Sequence, residues 1–198
     1  MRAGKLAPII LGLALAGCGG TSPGKPAADT ATGLEGDSAF IASAQTVSDA
    51  IGGCTRPANL ARPIESKVVS LEKNAIIMLA CSQSEYSYTH RLFAVRAGQA
   101  PQLLTLPDYD LSGWYGSDQA SMAELDAGTG VLTTMRQGNA KGTCGSEGRY
   151  QWDGARFALQ EMHWQDCTGA QPNGPPFPAL WPTQVGADVD PNGATPAP

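Results

Sequence analysis

The feature of the sequence that most restricts the fold is an Asp-Gly pair, Asp153-Gly154, between two segments of alternating apolar and polar residues. Asp-Gly favours a type I′ turn, because both central residues of that turn have a positive φ. The pair therefore predicts a β-hairpin with a two-residue loop, in which Tyr150 lies opposite Phe157. The apolar side chains of this hairpin share one face and the polar ones share the other: Tyr150, Trp152, Phe157 and Leu159 against Arg149, Gln151, Arg156 and Gln160. One face should be buried and the other solvated.

More strands and one helix are predicted upstream of the hairpin. Ala75–Ala80 is a continuous apolar run, which is typical of a central strand buried on both faces. Shorter strand candidates follow at residues 92–95, 102–106 and 131–135. A helix is predicted from an N-cap at Asp37 to a stop at Gly52-Gly53, with apolar residues at helical spacing between them: Phe40, Ile41, Ala44, Val47 and Ile51. The expected fold is therefore mainly β, an antiparallel sheet or a small sandwich, with one short N-terminal helix.

The first seventeen residues predict an export signal. Arg2 and Lys5 supply positive charge, and Leu6–Leu15 is an uncharged apolar run of the length found in signal peptides. A membrane-spanning helix needs roughly 20 apolar residues, about twice this run, so a cleaved signal is favoured over a permanent span. The next residues, Leu15-Ala16-Gly17-Cys18, resemble the lipobox of bacterial lipoproteins, in which the cysteine is diacylated and becomes the mature N-terminus.

The lipobox resemblance implies that the mature protein is held on a membrane by lipid at Cys18. Two or three acyl chains give stable attachment, because each buried methylene contributes about 0.8 kcal/mol. Gly19 stands where an aspartate tends to retain such proteins at the inner membrane. The expected location is therefore the periplasmic face of the outer membrane. The alternative is an ordinary secretory signal cleaved near Ala16, which would leave Cys18 as a free thiol.

The predicted organisation places a single domain between two unstructured segments. After the signal peptide at residues 1–17, residues 18–36 are rich in Gly, Pro, Ala and Thr and predict a flexible tether. Residues 37–182 are expected to form one disulfide-bonded, β-rich domain. The Pro-rich and Gly-rich residues 183–198 are expected to form a disordered tail.

Four cysteines remain after the one in the lipobox: Cys54, Cys81, Cys144 and Cys167. An even number of cysteines in an exported protein predicts disulfides, because the periplasm is oxidising. Of the three possible pairings we favour the sequential one, Cys54 with Cys81 and Cys144 with Cys167. A zinc site is the alternative, which the lack of a Cys-x-x-Cys pair disfavours. The predicted hairpin with a two-residue loop places Cys144 opposite His163, four residues before Cys167. A Cys144–Cys167 disulfide therefore requires the chain after Met162 to curl back.

Several short motifs in the second half of the chain carry a family resemblance: Leu132, Thr143-Cys144-Gly145-Ser146, Trp152-Asp153-Gly154, Phe157-Ala158-Leu159, Asp166-Cys167 and Leu180-Trp181-Pro182. Upstream, Leu79-Ala80-Cys81 followed by Tyr86 fits the same pattern. With these motifs the chain resembles the C-terminal part of the bacterial periplasmic proteins grouped as domain-of-unknown-function family 1176. The resemblance implies one domain, the sequential disulfides and a periplasmic location. It implies no activity, because none is established for the family.

Charge and motif content disfavour several classes of function. The chain has 13 Lys and Arg against 18 Asp and Glu, a formal net charge of −5, and no basic patch for a nucleic acid. Loss of the signal peptide removes Arg2 and Lys5 and no acid, which takes the net charge to −7. Nucleophile elbows, P-loops and dinucleotide-binding loops are absent from the sequence. We therefore predict no catalytic residues and no cofactor.

One segment imitates the start of a calcium-binding loop. Asp108-x-Asp110-x-Ser112-Gly113 places oxygen ligands at alternate positions before a glycine, as calcium coordination requires. Gln119 stands where such a loop needs a bidentate glutamate, so Asp108, Asp110 and Ser112 are an incomplete candidate site. A second imitation at residues 188–193 runs off the end of the chain. The alternative to a calcium site is an ordinary turn for the first segment and part of the unstructured tail for the second.

Trp114-Tyr115 is the best candidate for a binding loop. The pair lies between Gly113 and Gly116, and exposed aromatic rings beside glycine can stack on a sugar or anchor a partner protein. The alternative is that these rings pack at the base of a loop.

Two functional hypotheses follow from the sequence. The first is a non-enzymatic binding or inhibitor-like module, tethered to the membrane and facing an envelope protein or glycan. The second is a metal-dependent or hydrolytic enzyme acting on envelope material, with Asp108, Asp110 and His90 as its functional residues. The lack of any base and nucleophile pair favours the first hypothesis.

Overall fold

The computed structural model describes residues 30–55, 63–71, 74–168, 174–182 and 191–193. The predicted signal peptide, the lipidation site Cys18 and tether residues 18–29 lie outside this part of the chain, as do tail residues 183–190 and 194–198. No helix among the described residues is long and apolar enough to cross a membrane.

The described residues form one α-helix, twelve β-strands and one short 3₁₀ helix. The α-helix is α1 (Thr30–Ile51) and the 3₁₀ helix is Pro191–Gly193. The strands are β1 (Lys67–Leu71), β2 (Asn74–Gln83), β3 (Tyr88–Val95), β4 (Gln102–Leu104), β5 (Leu106–Asp110), β6 (Gly113–Ser117), β7 (Ala120–Ser121), β8 (Glu124–Leu125), β9 (Val131–Gln137), β10 (Gly145–Trp152), β11 (Phe157–Gln165) and β12 (Ala179–Trp181).

The strands form two antiparallel sheets and a separate hairpin. Sheet 1 has the order β1-β2-β3-β4, and β7 pairs with the first residues of β3. Sheet 2 has the order β12-β11-β10-β9-β8, so its strands follow one another along the chain. Strands β5 and β6 pair only with each other. The mainly antiparallel β fold with one helix, expected from the sequence, is confirmed.

Alternate residues of β2 face two different hydrophobic clusters. Ile76 and Met78 belong to the core between the two sheets, together with Tyr150 of sheet 2. Ile77 and Leu79 belong to a second cluster, beneath α1. Sheet 1 therefore lies between sheet 2 and the helix, which explains why the continuous apolar run in β2 is buried on both faces, as predicted.

Helix α1 differs from the prediction at its start and in part of its apolar face. It begins at Thr30, so Asp37 lies inside the helix and residues 30–36 are helical, although they were predicted to belong to the tether. Glycine in a helix interior costs only about 1 kcal/mol relative to alanine, so the glycines of this segment do not end the helix. Ala44 is buried against sheet 1, whereas Phe40 and Ile51 are exposed.

The Asp153-Gly154 hairpin forms, but its register is shifted from the prediction. Trp152 pairs with Phe157 and Tyr150 pairs with Leu159, so the loop has four residues and the predicted Tyr150–Phe157 pair is wrong. The Asp153 carboxylate accepts the backbone N–H groups of residues 155 and 156, which stabilises the longer loop. The predicted apolar face is confirmed, since its residues lie in the core or pack against it.

Both predicted disulfides form, and the corrected register explains the second one. Cys54 bonds to Cys81, and Cys144 bonds to Cys167 across a Cα–Cα distance of 5.1 Å. An extra residue in β11, Gln160, between the Arg149–Glu161 and Tyr150–Leu159 pairs adds to the shift of the hairpin, so that Gly145 pairs with Gln165. Cys144 therefore lies beside Cys167 without the sharp return of the chain that the two-residue loop required.

The prediction of a disordered tail is wrong for residues 191–193. They form a 3₁₀ turn in which Pro191 is buried. The Asn192 side-chain oxygen accepts the backbone N–H of Leu159 at 2.6 Å, and Arg156 donates to the Asn192 carbonyl. Because β12 pairs with β11 only at Met162 and His163, the edge of β11 near Leu159 is left for this turn.

Candidate functional site

A cleft of about 410 Å³ lies on the face of sheet 2 that points away from sheet 1. Its floor consists of side chains that alternate with the buried ones along β9, β10 and β11: Thr133, Met135, Glu147, Arg149, Glu161 and His163. Tyr88 and Met122 form one wall, and Glu124 completes the rim. We refer to these nine residues as the outer cleft.

The charges on the floor of the outer cleft face one another across the strands. Arg149 of β10 lies opposite Glu161 of β11, and Glu147 of β10 lies opposite His163 of β11. Cross-strand pairs of opposite charge stabilise a sheet by roughly 0.2–1 kcal/mol each. The cross-strand row that contains Glu147 and His163 continues into β9, where Met135 lies opposite Glu147. Apolar and charged groups are thus held at defined positions along paired strands.

His163 is the most strongly held side chain of the outer cleft. Its Nδ1 lies 2.7 Å from the carbonyl oxygen of Phe177, and its Nε2 lies 2.7 Å from Oε1 of Glu161. Both neighbours are acceptors, so both ring nitrogens donate when the ring is protonated. The hydrogen bond to Glu161, the carbonyl of Phe177 and the charge of Glu147 raise the pKa of His163, against a smaller opposing effect of burial.

The second histidine has the opposite environment. His90 is buried in β3, where its Nε2 lies 3.3 Å from the Glu65 carbonyl oxygen and its Nδ1 has no hydrogen-bond partner among the described residues. Burial is the main reason why the pKa of His90 is lowered. Protonation of this ring would place a charge in an apolar interior.

An NMR titration of the two histidine rings should therefore give two midpoints on opposite sides of the ordinary value of about 6.5. His163 should titrate above that value and His90 below it. The His163 interaction stabilises the fold fully below pH 6.5, and this contribution is lost as the pH rises through the folded pKa. Glu161→Gln should lower the midpoint of His163 and leave that of His90 unchanged. Equal midpoints in the unmodified protein would contradict the hydrogen bonding described above.

The residues of the predicted calcium loop do not converge on one point. Asp108 accepts hydrogen bonds from Tyr115 Oη at 2.9 Å and from Arg136 Nε at 3.2 Å. Asp110 instead accepts the backbone N–H of Ser112, in the turn after β5. Within the described ranges, no group of three or more His, Cys, Asp or Glu side chains could hold a metal ion. Both oxygens of Asp108 already have protein donors, since Ser146 Oγ binds the other one.

Asp108 belongs to a partly buried polar network that the sequence did not predict. Arg136 forms an ion pair with it and also donates to the Tyr109 carbonyl at 2.6 Å. The Tyr150 hydroxyl donates to the Pro107 carbonyl at 2.8 Å. Burial, followed by the nearby Asp108 charge, raises the pKa of Tyr115. These contacts hold the β5–β6 hairpin against sheet 2.

Trp114 and Tyr115 lie in strand β6 and not in a loop, which corrects the prediction. The Trp114 ring makes edge-to-face contacts with Tyr109 and Trp181, at centroid distances of 5.2 and 6.4 Å. Its indole nitrogen is buried without a hydrogen-bond partner among the described residues. The Tyr115 hydroxyl binds Asp108. Both side chains thus make contacts within the protein, as expected if they pack in its interior and do not form a binding loop.

The structure does not bring together the residues of the enzyme hypothesis. His90 contacts the Glu65 carbonyl, Asp108 contacts Arg136, and Asp110 contacts its own turn. In the described part of the chain, no hydrogen bond or ion pair joins His90 to either carboxylate. The residues of the outer cleft were missed as a site, although the alternation along residues 131–137 and 145–152 does place them on one face.

A family model described as "Protein of unknown function (DUF1176)" matches residues 23–184. No curated protein and no solved structure matches the chain. The match covers most of the sequence and begins well upstream of Leu79, the first residue of the motifs that carry the resemblance. The chain therefore belongs to the DUF1176 family, and the expected family resemblance is confirmed.

Proposed function

We propose that this protein is a non-enzymatic binding module of the bacterial cell envelope, held on a membrane by lipid at Cys18, with the outer cleft as its ligand-binding surface. The observation that carries the proposal is the outer cleft itself. Its volume of about 410 Å³ lies within the range of roughly 300–1,000 Å³ that is usual for ligand sites. Apolar and charged side chains converge in it from five strands or their ends.

The hydrogen bonding of His163 supports binding over catalysis by a histidine base. A general base must have an unprotonated nitrogen or oxygen directed at the substrate. Both ring nitrogens of His163 are instead engaged by Glu161 and by the Phe177 carbonyl. The four cysteines after Cys18 are joined in disulfides, so none of them is a nucleophile. Strand positions and paired charges are well suited to presenting a rigid surface to a partner.

The lipid anchor rests on the lipobox resemblance at residues 15–18, and the outer membrane rests on Gly19. Cells that express the full chain should incorporate a labelled fatty acid into it, and Cys18→Ser should abolish that label. A Cys18→Ser protein that is still labelled would contradict the anchor. This outcome would leave the proposed role of the outer cleft untouched.

The binding role is tested by photo-crosslinking from inside the outer cleft in intact cells. Thr133 is exposed on the floor of the outer cleft, and a photo-reactive residue at this position should give a specific adduct. The same residue at Asp49, on the exposed face of α1, is the matched control. The adduct at position 133 should disappear when Glu147→Lys is added. Equal adducts at the two positions, or an adduct indifferent to Glu147→Lys, would contradict the proposal.

A further inference from the structure

We infer that the outer cleft binds a basic segment of a partner protein, whose lysine or arginine side chains enter the cleft. The inference rests on the proposed function of the outer cleft as a binding surface and specifies the chemistry of its ligand. The charge and the apolar lining of the outer cleft support it independently of one another, and His163 makes the expected binding depend on pH.

The outer cleft has an excess of negative charge. Its rim and floor contain three carboxylates and one arginine: Glu124, Glu147, Glu161 and Arg149. With His163 protonated the sum is −1, and with His163 neutral it is −2. The mature chain also has a formal net charge of −7 once Arg2 and Lys5 are removed with the signal peptide. Charge complementarity favours a cationic partner and opposes an anionic one.

The apolar side chains of the outer cleft suit the stems of basic residues. Tyr88, Met122 and Met135 line the same space as the carboxylates. Lysine and arginine bury their methylene groups along apolar surface while the charged end stays among polar groups. Thioether side chains adapt to such stems, because methionine is flexible and polarisable. Tyr88 is held in place by an edge-to-face contact with His90, at a centroid distance of 5.6 Å.

His163 makes the charge of this surface depend on pH. The groups that face it are Glu161 on its own strand, Glu147 on β10 and the Phe177 carbonyl before β12. Residues 174–182, which pack beside it, contain no titratable side chain. Protonated His163 competes with a bound cation for Glu161 and Glu147. Loss of that proton should therefore strengthen the binding of a basic ligand.

Binding is measured with the full chain in a non-ionic detergent and a fluorescent deca-lysine peptide as the probe. We expect the double change Glu147→Gln and Glu161→Gln to weaken binding by about tenfold, since each exposed charge pair contributes up to about 1 kcal/mol. Arg149→Gln removes the one arginine of the outer cleft and should strengthen binding. A gain in affinity cannot result from misfolding, so this variant is the control for the loss in the double variant. Asp49→Asn on α1 removes one of the chain's other carboxylates at a distance, against two in the double change, and should change nothing. Added salt should weaken binding.

The pH dependence gives a second, independent measurement. The affinity for deca-lysine should rise by about threefold between pH 6 and pH 9, since lysine stays charged and His163 loses its proton. His163→Gln should remove this rise, because glutamine keeps a polar contact but does not titrate. A rise that persists in His163→Gln would overturn the role given to His163.

Two further probes distinguish this inference from the proposed function. If a neutral chito-oligosaccharide or deca-glutamate binds in the outer cleft and deca-lysine does not, the basic ligand is wrong while the binding role stands. If Asp49→Asn weakens deca-lysine binding as much as the double glutamine change, the attraction is to the acidic chain as a whole and the inference is overturned. If the crosslinker at position 133 gives no specific adduct, the proposed function itself fails.

Discussion

Replacement of Gly145 by alanine should destabilise the folded protein by about 4 kcal/mol, as the sum of backbone strain and a steric clash. Gly145 has a φ of +141°, and a Cβ atom placed on it would lie 1.8 Å from the carbonyl oxygen of Arg136. That oxygen belongs to β9, which pairs with β10 at this point, so it cannot move without disturbing the sheet. The adjacent Cys144–Cys167 disulfide further limits movement. Urea unfolding of the oxidised protein, followed by tryptophan fluorescence, measures the loss.

Gly154→Ala is the matched control for this prediction. Gly154 also has a positive φ, +97°, but a Cβ atom there would meet nothing within 4 Å. Its replacement should cost only about 1–2 kcal/mol, the ordinary penalty for a left-handed conformation. The difference between the two variants therefore isolates the contact with the Arg136 carbonyl. Equal losses would show that β9 and β10 move apart easily, contrary to the expectation.

The hairpin shows which parts of the fold could be predicted from the sequence. The faces of Tyr150 and Phe157 were predicted correctly although the register was wrong, because the true register near the loop differs by two residues. A shift by an even number leaves each side chain on its own face. The loop length depended on two hydrogen bonds of the Asp153 carboxylate, which the Asp-Gly pattern does not indicate. Periodicity thus predicted burial better than it predicted pairing.

The candidate sites were harder to predict because their contacts join distant parts of the chain. Asp108 was interpreted from its neighbours as a calcium ligand, whereas its ion-pair partner Arg136 lies 28 residues away. The outer cleft combines Tyr88 with Glu161, which are even further apart in the sequence. Local spacing predicts only ligands that come from one segment. The disulfides were the exception, because an even number of cysteines in an exported chain predicts long-range bonds and leaves only three possible pairings.

Arg91 was also unforeseen, because charged residues are rarely buried unless they are paired. Its side chain is only 2% exposed, and it joins β3 to α1 and to the segment after β6. Nη1 donates to the carbonyl and to Oγ of Ser48, at 2.9 Å each. Nε and Nη2 donate to Oδ2 of Asp118, at 3.1 and 2.7 Å. The alternation along β3 alone would have predicted an apolar residue facing α1.

Arg91→Met should destabilise the protein by about 3 kcal/mol, the lower end of the range for removing one partner of a buried ion pair. The lower end applies because the Asp118 side chain is 36% exposed, so water can solvate its carboxylate once Arg91 is gone. The Ser48 hydroxyl would lose the Arg91 donor in the interior, while the Ser48 carbonyl would keep the backbone N–H of Gly52 at 3.0 Å. Urea unfolding of the oxidised protein measures it. A loss below 1 kcal/mol would show that α1 is held by its apolar contacts alone.

A double-mutant cycle with Asp118→Asn tests whether the charge pair, and not the arginine alone, fastens α1 to sheet 1. Asp118→Asn by itself leaves the buried Arg91 without a counterion, whereas in the Arg91→Met background it removes a charge that is already solvated. The losses should therefore add up to more than the double variant shows, with a coupling of at least about 1 kcal/mol. Additive losses would instead assign the whole effect of Arg91 to its bonds with Ser48. The helix would then depend on hydrogen bonds to its last turn and would be insensitive to the charge at position 118.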